Sequence, residues 1–494
     1  MPSQEARTGI AGLDDILRGG FPRGRIYLVE GDPGVGKTTL ALRFLMEGRR
    51  EGERVIYITL SETKEELSAV AASHGWTLDG IDVHELAAPA AFSGDDENTL
   101  FHPSEVELAE TTKSVVDLCT RIRPQRVVFD SLSEIRLLAQ SPLRYRREVL
   151  ALKQYFAGRG CTVLLLDDRT SSTGDCHLQS IAHGVVSLEQ LAPLYGAQRR
   201  RLRIVKLRGV PFRGGYHDFV IEHGGLRVFP RLVASEHVRP FERGAASSGI
   251  PSLDLMLGGG LDRGTSTLFL GPAGAGKSTL STQWMAAAAA RGERSALYAF
   301  DESTQTFISR SRSVGIDVEP VIQSGRVAVR HIDPAEIPPG QFVDDVRRSV
   351  DEEGIRLVVI DSINGYMNAM PDESFLLLQM HELLTFLGQR GVVTILVMAQ
   401  HGLIGDAIIS PTDVSYLADT VLLLRHFETN GGLRKAISVL KKRTGQHERT
   451  IRELKLSTAG ITTGEPLTRL RGILTGVPLF QTEAAFPNGV DPGE

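Results

Sequence analysis

Gly31-Asp-Pro-Gly-Val-Gly-Lys37-Thr38 recurs later in the chain as Gly271-Pro-Ala-Gly-Ala-Gly-Lys277-Ser278. Each copy follows a short apolar run and precedes residues with apolar positions at helical spacing. A triphosphate needs several backbone N–H groups converging on its oxygens, so glycines must allow close approach, and the N-terminus of the following helix adds the positive end of its dipole. Gly31, Gly34 and Gly36, with Gly271, Gly274 and Gly276, form the expected cradles. Lys37 and Lys277 would reach the β and γ phosphates, and Thr38 and Ser278 would ligate magnesium. Thr39 and Thr279 complete the expected nucleotide-binding set. A glycine-rich turn can match one such pattern by chance, but two copies in the same context point to ATP and Mg2+ as cofactors.

The two loops belong to a longer internal repeat. Thr8-Gly-Ile-Ala-Gly-Leu-Asp14 and Gly19-Gly20-Phe-Pro-Arg-Gly24 lead into the first loop, as Ser248-Gly-Ile-Pro-Ser-Leu-Asp254 and Gly258-Gly-Gly260-Leu-Asp-Arg-Gly264 lead into the second. Downstream, Val55-Ile-Tyr-Ile-Thr-Leu-Ser61-Glu62 is answered by Ala296-Leu-Tyr-Ala-Phe-Asp301-Glu302, and Arg126-Val-Val-Phe-Asp130-Ser131 by Leu357-Val-Val-Ile-Asp361-Ser362. In the first copy the pattern predicts strands over 26–30, 54–60, 126–130 and 162–167, a helix over 38–51, and a second helix opened by the capping box Thr63-Lys-Glu-Glu66. After 184, and again after 420, shorter alternating segments such as 201–207 and 217–222 predict an antiparallel extension. The expected class is α/β: two tandem RecA-like P-loop domains, each a mainly parallel sheet with helices on both faces. The expected boundaries are 1–235 and 248–460, joined by a linker over 231–248 and followed by a partly ordered tail over 461–494.

A chain of 494 residues is long enough for two separate cores. Its 41% apolar and 23% charged residues place it among folding chains rather than disordered ones. A formal charge of -5 disfavours a dedicated nucleic-acid binder. The one dense basic cluster, Arg199-Arg-Arg201 with Arg203, has no accompanying aromatic run for single strands to stack on. Cys119, Cys161 and Cys176 are odd in number and lack metal-ligand spacing, which suits a reducing cytoplasm. Met1-Pro-Ser-Gln-Glu-Ala-Arg7 has no apolar signal core, and apolar runs such as 392–399 reach only strand length, so no membrane insertion is expected.

Asp130 and Asp361 end apolar strands, where a carboxylate can hold the magnesium shell at the carboxyl edge of the sheet. An ordinary turn aspartate is the competing explanation. Glu62 and Glu302, just after the second strand of each copy, are placed to polarise a water or hydroxyl aimed at the γ phosphate; an exposed helix-start carboxylate is the alternative. Lys206 with Arg208, and Lys441 with Arg443, alternate to one face of late strands. They could cross a subunit interface to a neighbour's phosphates, or simply be a solvated face.

The motif order, the Gly-Leu-Asp lead-in, Lys206-Leu-Arg-Gly209 and Ala418-Asp-Thr-Val-Leu-Leu-Leu424 together resemble the KaiC family, tandem RecA-like proteins of the bacterial circadian clock, over about residues 5 to 478. The resemblance implies a double-ring homo-hexamer with ATP at subunit interfaces, slow hydrolysis in the N-terminal ring, and autokinase and autophosphatase activity in the C-terminal ring. It also implies regulatory or signalling partner proteins. By this likeness Lys206, Arg208, Lys441 and Arg443 match residues that contact the adjacent subunit's nucleotide. Asp301 and Glu302 match an acidic pair of the kinase ring, with Asp301 as the expected base, and Ser415 matches a phosphoacceptor. There are departures: Ser61 replaces the first acid of the N-terminal pair, Val210 and Phe212 replace a usual Thr and His, and Ser415-Tyr416 replaces adjacent Ser-Thr acceptors. Arg471-Gly-Ile-Leu-Thr-Gly-Val-Pro478 resembles the family's regulatory peptide. A nucleotide-controlled hexameric scaffold without kinase activity, and a RecA-like DNA-dependent ATPase, are the two alternative functions.

Overall fold

The computed structural model describes residues 4–86, 103–169, 176–193, 195–367, 375–400, 414–429, 431–474 and 479–480. The chain forms two compact units, 1–231 and 232–494. Each carries a nine-stranded sheet with the same strand order.

In the first unit that order is Gly225–Phe229, His217–Glu222, Arg199–Leu207, Gly184–Leu191, Ile26–Gly31, Thr162–Asp168, Arg126–Asp130, Val55–Thr59 and Asp82–Glu85. The strands from Gly184–Leu191 to Asp82–Glu85 run parallel, and the first three are antiparallel. Gly184–Leu191 thus still belongs to the parallel core, beside the P-loop strand, and the antiparallel extension begins one strand later than the change in rhythm predicts.

Parallel strands are covered on both faces and so read as unbroken apolar runs. Every residue of Ile26–Gly31 is buried. Tyr27 and Val29 enter the core with Phe21, Leu40 and Phe44, whereas Ile26 and Leu28 face Val127, Leu152 and Phe156 on the other side of the sheet. The predicted capping box forms: Thr63 N–H donates to Glu66 Oε2 at 2.8 Å, and Glu66 N–H donates to Thr63 Oγ1 at 3.2 Å, which starts the helix Lys64–Ser73 beside Glu62.

The second sheet runs Val327–His331, Arg294–Ala299, Ile355–Asp361, Val393–Ala399, Ser266–Gly271, Thr420–Thr429, Gly432–Lys442, Arg452–Ser457 and Gly460–Pro466. The last strand lies beyond the expected end of the domain at 460. It pairs with Arg452–Ser457 and buries Ile461.

Two glycine positions in each P-loop follow from the fold. A Cβ on Gly31 would lie 2.6 Å from Leu188 O, and one on Gly271 would lie 2.3 Å from Leu424 O, because the neighbouring strand passes close by. Gly36 and Gly276 have φ of 111° and 103°, in the left-handed region where a side chain is strained. Each opens its P-loop helix, Lys37–Arg50 or Lys277–Ala290.

Candidate functional site

The P-loop lysines, hydroxyls and strand-end aspartates converge in both units. In the first, Lys37 is buried and its Nζ donates to Gly31 O at 3.0 Å and Asp32 O at 2.9 Å. Thr38 Oγ1 lies 3.5 Å from Asp130 Oδ2, which also accepts from the Tyr57 hydroxyl. Burial raises the Asp130 pKa above the usual carboxylate range, opposed in part by the Tyr57 hydrogen bond. A hydroxyl beside a buried carboxylate is a hard oxygen donor set suited to magnesium that keeps waters and phosphate oxygens as its other ligands. Among the described residues no cluster of His, Cys, Asp or Glu could hold a metal ion alone.

Glu62 is fixed from behind. Its N–H donates to Thr59 Oγ1 at 2.9 Å, and the Thr59 hydroxyl donates to Glu62 O at 2.8 Å. Its Oε2 is buried without a hydrogen-bond partner among the described residues. Burial first, and then the charges of Asp130, Glu66 and Asp168, push its carboxyl up to about 7. A base with a pKa near neutrality is well matched to proton transfer at working pH.

In the second unit Lys277 Nζ donates to Gly271 O at 2.9 Å and Pro272 O at 2.8 Å. Ser278 hydrogen bonds Asp361, whose carboxyl is raised by burial. The Asp130–Ser131 and Asp361–Ser362 peptides are both cis, another feature the two copies share. Asp301 Oδ2 accepts from Ser362 Oγ at 2.7 Å.

The copies differ in their ion pairs, and here the sequence reading missed three residues. Lys37 Nζ pairs with Asp168 Oδ1 at 2.6 Å. Asp168 stands opposite Gly31 in the sheet, and the matching place opposite Gly271 is Ala399. Among the described residues no carboxylate pairs with Lys277, and burial lowers its pKa. Conversely, Glu302 is gripped by Arg310, whereas Val70 holds the corresponding helix position eight residues after Glu62. Tyr57, the partner of Asp130, is replaced by Leu297. The only sequence signals were the Asp167-Asp168 pair at a strand end and an arginine two helical turns beyond Glu302.

The remaining P-loop hydroxyls contact the helix that follows Glu62 or Glu302, or its C-cap. Thr39 Oγ1 lies 3.4 Å from His74 Nε2, and Thr279 Oγ1 accepts from Arg310 Nη1 at 3.4 Å.

The four late-strand cations lie away from their own P-loops. Lys206 Nζ donates to Gln179 O, and Arg208 Nη2 donates to Ser180 O at 2.9 Å. Lys441 Nζ donates to Ala418 O at 2.7 Å, and Arg443 reaches Tyr416 O and Asp419 at 3.3 and 3.4 Å. Lys206 pairs with Val185, itself opposite Leu28 near the start of the P-loop strand. The basic cluster is engaged internally: Arg201 pairs with Glu189 at 2.9 Å and stacks 4.1 Å from the Tyr216 ring centroid.

Ser415 falls in the short 3-10 helix Val414–Leu417, but its side chain lies outside the described residues, as do residues 475–478 of the peptide ending at Pro478. Cys119 and Cys161 are buried free thiols; the side chain of Cys176 lies outside the described residues. Among the described residues no helix is long and apolar enough to cross a membrane.

Comparison with known proteins adds to this geometry. A family described as ATPase: KaiC matches the chain over residues 6–233 and again over 246–468. The chain is similar to the circadian clock protein KaiC3 of Synechocystis sp., 26% identical over 487 residues, 97% of this chain and 96% of the relative. It is 28% identical to the circadian clock oscillator protein KaiC of Acaryochloris marina over 481 residues, 95% and 90% of the two chains. For that of Synechococcus elongatus the identity is 27% over 478 residues, 96% and 91%.

Proposed function

The chain belongs to the KaiC family of ATPases, and from that premise we propose that both domains bind MgATP at the interfaces of a homo-hexamer, that the N-terminal domain hydrolyses it, and that the C-terminal domain transfers its γ-phosphoryl group to Ser415. The observation that carries this reading is the twofold convergence of lysine, hydroxyl and strand-end carboxylate around a glycine cradle. Magnesium held between Thr38 and Asp130, or Ser278 and Asp361, would supply charge neutralisation on the phosphates.

In the N-terminal site Glu62 takes a proton from water as the water oxygen bonds to the γ phosphorus and the bond to the ADP oxygen breaks. Lys37 turns from Asp168 to the phosphates. In the C-terminal site Asp301 takes the proton of the Ser415 hydroxyl, while Lys441 and Arg443 of a neighbouring subunit stabilise the transferring charge. In the N-terminal ring Lys206 and Arg208 play the same part. Their place at the far end of the P-loop strand supports a reach to another subunit's nucleotide rather than their own. Cytoplasmic location and regulation by clock-type or other signalling proteins complete the proposal.

Incubation with γ-labelled ATP and mass spectrometry tests it. Phosphate on Ser415, lost in Ser415→Ala and Lys277→Ala, is the expected result. Hydrolysis with no label on the chain would leave the scaffold reading.

A further inference from the structure

In the C-terminal site the carboxylate placed to activate water is already engaged. Arg310 donates from Nε to Glu302 Oε1 at 2.9 Å and from Nη2 to Oε2 at 2.8 Å, a two-pronged, charge-assisted grip. Its Nη1 reaches Thr279 Oγ1 on the P-loop helix, and the guanidinium lies 5.5 Å from the Phe307 ring centroid. Local sequence builds this grip. Ser303 caps the helix Thr304–Ser313 by accepting from Thr306 N–H, so the helix starts beside Glu302 and two turns carry residue 310 back beneath that carboxylate. Val70 fills this register in the N-terminal domain, where it has nothing to donate, and among the described residues Glu62 Oε2 is left without a partner. Among the described residues Asp301, adjacent to Glu302, is held by the neutral Ser362 hydroxyl alone.

We propose that Arg310 is a positioning residue that withholds Glu302 from water and so reserves C-terminal ATP for transfer to a protein hydroxyl, with Asp301 as the base. This rests on the assignment of Asp301 and Glu302 as the carboxylates of that site. In hydrolysis the water oxygen bonds to the γ phosphorus, the bond from that phosphorus to the bridging oxygen of ADP breaks, and the water proton needs an acceptor. By taking it, Glu302 would become neutral and leave a partly buried guanidinium without its counter-charge. In transfer the serine oxygen forms the new bond to phosphorus, the same bond to ADP breaks, and the serine proton passes to Asp301 without disturbing an ion pair.

The test uses the full chain carrying Glu62→Gln, which quiets the N-terminal site without removing its nucleotide. Phosphate release is compared for Arg310 as found, Arg310→Lys and Arg310→Gln, with binding of a fluorescent ADP analogue measured for each. Release is expected to rise about threefold for Lys and about tenfold for Gln, below the roughly 10²–10⁴-fold that a fully positioned general base contributes, and the share of γ-phosphate appearing on the protein should fall. Adding Glu302→Gln to Arg310→Gln should abolish the rise. Unchanged or lower release from either Arg310 variant that still binds nucleotide overturns the proposal. If Glu302→Gln alone lowers the residual hydrolysis in that case, the carboxylate assignment stands and only the grip by Arg310 falls. If Glu302→Gln changes release in neither background, the assignment itself is wrong.

Discussion

The Lys37 ammonium and the Asp168 carboxylate form an ion pair of 2.6 Å that the C-terminal domain cannot make, because Ala399 occupies the matching sheet position. The C-terminal domain instead pairs Glu302 with Arg310. One domain therefore restrains its P-loop lysine and leaves Glu62 outside any ion pair among the described residues, and the other does the reverse with Lys277 and Glu302. Two copies of one fold thus carry electrostatically distinct sites around P-loops of the same pattern.

With Lys37 in the proposed phosphate-binding role, Asp168 would compete with phosphate for it. Asp168→Ala should tighten ATP binding at the N-terminal site about fivefold, about 1 kcal/mol, as suits a partly exposed pair. Titration with a fluorescent nucleotide in a Lys277→Ala chain measures it. Equal or weaker affinity would mean that the pair does not compete with nucleotide.

His217 couples the N-terminal fold to pH. The ring is buried, with Nε2 3.0 Å from Arg213 O and Nδ1 accepting from Arg231 N–H at 2.8 Å, so one nitrogen donates, the other accepts, and the ring is neutral. Burial lowers its pKa to about 4. Because the folded value lies below the unfolded value of about 6.5, stability from this group is complete above pH 6.5 and is lost as pH falls toward 4. The loss should approach about 3 kcal/mol below pH 4. Urea unfolding at pH 7 and pH 4.5 should show it, and His217→Gln should flatten the difference.

Arg126 begins an otherwise apolar strand and is fully buried. It binds Glu53, Glu51 at 2.8 Å and Phe44 O at 2.9 Å, and packs over the Phe44 ring. Arg126→Ala would leave Glu53 to Arg23 alone and open a cavity beside the sheet, at a cost of about 2–5 kcal/mol to the N-terminal domain. The two tryptophans separate the domains: the unfolding transition reported by Trp76 should move to lower urea, and that reported by Trp284 should stay.

Assembly should depend on nucleotide, since a ligand bridging subunits binds only the assembled state. Light scattering is expected to show a mass about six times that of the chain with saturating MgATP. An unchanged monomer would refute the ring.

The P-loops, their flanking strands, the aspartates at strand ends and the Thr63 capping box were legible because each is a local pattern, and most of them occur twice. Asp168 was not, since its partnership with Lys37 depends on the sheet register that sets it opposite Gly31. Arg310 was hidden for a similar reason: its role needs both the helix phase fixed by Ser303 and a fold that brings that helix to Thr279. Gly460–Pro466 reads as a loose tail from its glycine, threonine and proline, yet pairing with the neighbouring strand and one buried residue, Ile461, make it the edge of a sheet. Arg126 reads only as the first residue of a strand, because the sequence does not show that Glu51 and Glu53 lie beside it.

The claim on which the rest depends is that this chain carries two nucleotide sites, one in each P-loop. A binding titration with MgATP on wild type, Lys37→Ala and Lys277→Ala tests it most directly, since each substitution deletes the phosphate-facing cation of one site. Wild type should bind two nucleotides per chain and each variant one; two in either variant, or one in wild type, would refute a site at each P-loop.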